Sequence, residues 1–195
     1  MPTLLGIVLL VTRELEDFES DVIVWVLIIG LVELLPVPMW RGVQISMGFP
    51  LLMAVAFLQQ PPAAALVALL GTSDPREFKR EVSPLRAGFN RCQVALSVYA
   101  ASAVFHSMAS IDASQALVLV VAAMLAAIVD YIVNYGLVAA YLSIQYGMSP
   151  TRIIRQLRIG PFAEYIISYL GLGVFGLFLA KLFPEVRWWV VLGYF

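Results

Sequence analysis

The stretch ALVLVVAAMLAAIVDYIVNYGLVAAYL, residues 116–142, decides what kind of fold this chain can have. It is longer than the roughly 20 apolar residues that an α-helix needs to cross the hydrocarbon core of a bilayer. One carboxylate, Asp130, sits near its middle. An ionised group at that depth costs roughly 2.5–3.5 kcal/mol on insertion scales, so the stretch predicts both a spanning helix and a reason for Asp130 to be there.

Working outward, residues 92–109 and 162–183 meet the same length and polarity test, so 92–183 reads as three long spanning helices. Residues 1–71 are more broken. An apolar run at 2–11 stops before Arg13, and another at 22–35 contains Glu33 and ends at Pro36 and Pro38. Runs at 45–58 and 62–70 are separated by Gln59-Gln60-Pro61-Pro62. Paired prolines exclude one straight helix, so these two runs predict a short, Pro-broken helical hairpin, either re-entrant or spanning with tilt. A last run, 186–195, opens with Trp188 and Trp189 as interfacial anchors and is too short to cross, which reads as the start of a truncated helix. The expected fold is a single all-α domain over 1–195: a polytopic integral membrane helical bundle of about six to eight membrane segments.

Composition supports that solvent. Apolar residues make up 62% and charged residues 13% of the chain, against about 45–50% and 25% in soluble domains. A net charge of −1 removes the broad basic surface that nucleic acid requires. Cys92 is the single cysteine and His106 the single histidine, so neither a disulfide framework, a metal site nor a His-based dyad has the residues it needs. With no Ser-His-Asp arrangement and no suitably spaced carboxylate pair, an enzyme is not expected, and no cofactor is expected either.

Orientation follows from the loops. Arg41, Arg76, Lys79, Arg80, Arg86, Arg91, Arg152, Arg155 and Arg158 fall on one side if alternate loops share a face. The acidic residues Glu14, Glu16, Asp17, Glu19 and Asp21 fall on the other. The positive-inside rule then makes loops 72–91 and 148–160 cytoplasmic. After Ser149-Pro150, which can open a helix, Arg152, Arg155 and Arg158 share one face opposite Ile153, Ile154 and Leu157, as in a short helix at the headgroups.

The polar residues inside the spans carry the functional expectations. Ala123, Ala127, Asp130 and Asn134 recur at helical spacing, flanked by Tyr131 and Tyr135. Asn90, Gln93, Ser97 and Ala101 make a polar-to-small stripe on the preceding helix, placing amide donors where Asp130 and Asn134 could meet them. Glu33 joins them as a candidate polar-core residue, while Glu164 faces the headgroups. The same side chains serve either as lining of a ligand site or as interhelical hydrogen bonds, and both uses stay open. Gly171, Gly173 and Gly176 permit close helix packing and are not a phosphate loop.

Three stretches, VELLPV at 32–37, FNRCQVALS at 89–97 and YIVNYGLVAA at 131–140, resemble an N-terminal multi-helix membrane module that precedes HD-GYP, GGDEF or kinase-type output domains in many bacteria. The resemblance runs from about Val22 onward. It implies a sensory input domain, with Glu33, Asn90, Gln93 and Asn134 at its recurring polar positions and no catalytic residues. No output motif is present in these residues, so the resemblance implies that signalling activity lies in a cytoplasmic domain outside them. The partners expected are the lipid bilayer, a small-molecule or lipid-like ligand, and a cytoplasmic output domain or a second copy of the chain. The alternatives are a substrate-binding membrane subunit of a vitamin-type, energy-coupling-factor-like transporter or small solute carrier, and an accessory structural subunit of a membrane complex.

Overall fold

A computed structural model describes residues 21–34, 37–38, 44–45, 48–73, 75–78, 80–147, 149, 151–153 and 162–186. The helices in chain order are α1 (Asp21–Glu33), α2 (Gly48–Leu58), α3 (Pro61–Gly71), α4 (Pro75–Phe78), α5 (Pro84–Met108), α6 (Ala116–Tyr146) and α7 (Phe162–Val186). Among the described residues the remaining regular structure is a short antiparallel pair, β1 (Val37–Pro38) against β2 (Gln44–Ile45), with Val37 opposite Ile45. The expected segment at 2–11, that at 186–195 beyond Val186, the acidic residues before Asp21, Arg41, Lys79, Arg155, Arg158, Trp188 and Trp189 lie outside the described residues.

Proline and glycine set the boundaries for local reasons. Pro61 and Pro62 occupy the first turn of α3, where a missing N–H removes no helical hydrogen bond. They bring no N–H to the turn after α2, and the Gln59 carbonyl there is satisfied from α5 instead: Ser102 Oγ donates at 2.9 Å, and His106 Nε2 lies 3.0 Å away. Ser83 caps α5, its hydroxyl accepting from the Arg86 N–H, with Pro84 next. Gly147 ends α6 at φ 65°, the left-handed conformation that only glycine adopts without a Cβ penalty.

Helix α2 is the centre of the packing. It is buried continuously from Pro50 to Phe57 and contacts α1, α3, α5 and α7. Eleven residues make a helix about 16 Å long, roughly half of a hydrocarbon core. Around it, α5 packs on α6 and α3, α1 on α3, and α7 on α2 and α6. Small side chains make these approaches close: Ala122, Ala123, Ala126 and Ala127 of α6 are fully buried, as are Ala95 and Ala101 of α5. Larger residues fill the ends of the core, with Trp25 against Phe183 at 4.7 Å and Phe57 against Phe105 at 4.4 Å between ring centroids.

Two helices among the described residues are long and apolar enough to cross a membrane: α6, and Ile166–Phe183 within α7. The expected third clean span, residues 92–109, lies almost wholly in α5. That helix is long enough at 25 residues, but Arg91, Gln93, Ser97, Ser102 and His106 dilute its apolar content. The Pro-rich region gives the two 11-residue helices α2 and α3, and α1 has 13 residues, so the six to eight expected segments are not matched by as many long helices.

Candidate ligand-binding cleft

Helix α6 carries two polar links, one on each side, one helical turn apart. Toward α7, the Tyr169 hydroxyl donates to Asp130 Oδ2 at 2.5 Å. Toward α5, Gln93 Nε2 donates to Asn134 Oδ1 at 2.5 Å. Asp130 is 2% exposed and Gln93 5%, so both polar groups have left water and depend on these partners. Ser97, whose hydroxyl donates to the Val94 carbonyl at 3.0 Å, borders the Asp130 carboxyl from α5. Gln93 Oε1 is buried with no hydrogen-bond partner among the described residues.

The close approach of α7 is what brings Tyr169 to Asp130. A Cβ on Gly173 would fall 2.8 Å from the Cβ of Ala127, and one on Gly176 would fall 2.7 Å from that of Met53 and 2.8 Å from the Pro50 carbonyl. Such distances exclude a side chain unless the helices part. Tyr169 and Gly173 are one turn apart on α7, as are Ala127 and Asp130 on α6, so the glycine contact fixes the register of the hydroxyl against the carboxyl.

Beside these links a cleft of about 320 Å³ opens, lined by Phe49, Asn134, Tyr135, Val138 and Tyr169. Phe49 packs against Tyr169 with the rings tilted by 40° and their centroids 4.3 Å apart. A second hollow of about 310 Å³, lined by Ile128, Tyr131, Ile132, Ile166, Tyr169 and Leu170, shares Tyr169 with the first and has no polar surface. Tyr131 touches Tyr135 at 4.5 Å and Tyr169 edge-on at 5.5 Å, closing an aromatic cluster between the two. The arrangement can hold a molecule against aromatic faces and one amide, with Asp130 sealed behind the Tyr169 hydroxyl.

Of the residues singled out from sequence, Asp130, Asn134, Tyr131 and Gln93 come together here. Asn90 does not: it is exposed on α5, one turn before the buried Gln93. Glu33 closes α1 and is half-buried. Arg152 is exposed while Ile153 is 2% exposed, in a helical turn at 151–153. Sequence reasoning missed Tyr169 and Phe49. The sequence places candidate donors for Asp130 on the helix preceding α6, whereas the donor, Tyr169, comes from the helix that follows it. Among the described residues no three His, Cys, Asp or Glu side chains gather as metal ligands.

No family model, curated protein or solved structure matches the chain. The functional reading therefore rests on its own residues.

Proposed function

We propose that the chain is a membrane-embedded sensory or ligand-binding module of a bacterial inner membrane, acting on a cytoplasmic output domain outside these residues. The observation that carries this reading is that Tyr169 and Asn134, which line the cleft, also make the two hydrogen bonds joining α5, α6 and α7. A ligand in contact with either residue acts on helix packing directly, and differential contact with two packings is what shifts a population. Helix α7 is the element through which such a shift leaves the bundle.

The bilayer setting is supported by what the long helices present outward. Only 33% of each apolar window in α6 and α7 is buried, so neither is the enclosed core helix of a soluble protein. In this reading α2 and α3 form a re-entrant hairpin, and the short helices together with the long ones supply a polytopic bundle of six to eight segments. Exposed Arg76, Arg80, Arg86 and Arg152 mark the cytoplasmic side, with loops 72–91 and 148–160 facing it.

The test uses the natural gene product at normal membrane levels. Asp130→Asn and Asn134→Ala are expected to shift or abolish its signal-dependent output, and an unchanged output in both contradicts the reading. That both polar links run between helices favours a second reading, an accessory subunit in which they serve packing alone. Migration of the chain in a large complex on a native gel, with both variants fully active, is its signature. A vitamin-like molecule copurifying with the chain and a partner ATPase would instead select the transporter alternative.

A further inference from the structure

The lining of the cleft defines the chemistry of its occupant. No lysine, arginine or exposed carboxylate lines either hollow. Asp130, the nearest acidic group, is sealed behind the Tyr169 hydroxyl and is 2% exposed. A charged head placed here would lose its hydration without a counter-charge, a cost that excludes it in a low-dielectric site. The polar offer is narrower still. Asn134 Oδ1 is taken by Gln93, while Asn134 Nδ2 has no partner among the described residues, so what the amide presents is a donor. The buried, unpartnered Gln93 Oε1 leaves the same amide pair with unfilled hydrogen-bonding capacity. The rest of the lining is aromatic or aliphatic, and its remaining polar groups are the neutral hydroxyls of Tyr135 and Tyr169, the latter bound to Asp130.

Size narrows the class further. Each hollow stands at the lower end of the range for small-molecule sites. Both have Tyr169 as a wall, and the apolar one includes Ile128 and Ile132, which are 37% and 61% exposed on the outer face of α6. An apolar chain can therefore lie along Tyr169 from the outer face, with its head at Asn134. We propose that the cleft binds a neutral, single-chain amphipathic lipid whose head oxygen accepts a hydrogen bond from Asn134 Nδ2. This rests on the reading of the cleft as a ligand site, and names its ligand class.

The experiment uses the whole chain in lipid nanodiscs and a diazirine-bearing hexadecanol as photoprobe. Two permanently charged analogues, with sulfate and trimethylammonium heads, and a diazirine-bearing phosphatidylcholine are run beside it. Saturable labelling by the alcohol, mapped to peptides covering 131–138 and 166–170 and competed by unlabelled hexadecanol, is the expected result. It should be lost in Val138→Trp, whose indole fills the cleft, with Val138→Phe as the milder filling variant should the first fail to fold. In the double variant Gln93→Leu/Asn134→Leu, which removes donor and partner together and so spares the fold, apparent affinity should fall about fivefold. Saturable labelling by a charged analogue at equal affinity would overturn the neutral class and leave the cleft as a ligand site. Equal competition by phosphatidylcholine would overturn the single-chain assignment. Labelling that never saturates and ignores Val138→Trp would overturn the ligand site itself.

Discussion

Asp130 illustrates how an expensive side chain becomes affordable. Its carboxyl accepts from Tyr169 within a small-residue seam that excludes water, so the cost of burial is offset by one well-placed donor. Hydrogen bonds between helices in a membrane contribute modestly, and Tyr169→Phe is expected to destabilise the chain by about 0.6–1.7 kcal/mol. Asp130→Leu paired with Tyr169→Phe should cost less than the sum of the single changes, because removing both partners leaves no orphaned group. Thermal retention of a monodisperse species in detergent measures the cycle. Strict additivity would mean that the pair does not interact. That Asp130 and Asn134 share a face with Ala123 and Ala127 was legible from sequence, because helical spacing alone puts them there. Tyr169 was not, since a hydrogen bond between helices depends on which helices touch, and chain order does not state that. A usable signal did exist in the four-residue step from Tyr169 to Gly173, matched against the small-residue face of α6.

At the scale of elements, the glycines of α7 separate into two kinds. Gly173 and Gly176 hold positions where a Cβ would meet Ala127, Met53 and a backbone carbonyl, whereas Gly171 has open space around it. Gly176→Ala should therefore cost about 1–3 kcal/mol, since the Pro50 carbonyl cannot rotate away as a side chain could. Gly171→Ala should raise stability by about 0.5–1 kcal/mol through helix propensity alone. Comparable losses at both positions, in the same detergent assay, would contradict the packing of α7 on α2. The hairpin α2–α3 was foreseeable because paired prolines admit few alternatives. The character of α5 was harder to foresee: its length matched a span, but its polar residues are used inside the bundle, Gln93 on Asn134 and Ser102 and His106 on the Gln59 carbonyl. A hydropathy argument counts such residues as cost and cannot see the partners that repay them.

For the whole molecule, the pattern of outward side chains carries the weight. Ile23, Leu27 and Leu31 on α1, Leu125, Ile128 and Ile132 on α6, and Ile167, Leu172 and Phe178 on α7 are all exposed. Exposed apolar stripes on three helices are a liability in water and ordinary in lipid. Ile128→Lys is accordingly expected to reduce the membrane-integrated fraction of the chain, consistent with a cost of about 2.5–3.5 kcal/mol for a charge near mid-bilayer. Wild-type integration of that variant would count against the stripe facing lipid. The most direct test of the account is a spin-label accessibility scan over residues 121–132 of α6, one cysteine at a time in a Cys92→Ala background in nanodiscs. The account predicts oxygen accessibility that peaks at Leu125, Ile128 and Ile132, falls at Ala123, Ala127 and Asp130, and is accompanied by near-zero access to a water-soluble nickel reagent throughout. Nickel access that peaks at Leu125, Ile128 and Ile132 would contradict it, because that face would then be meeting water.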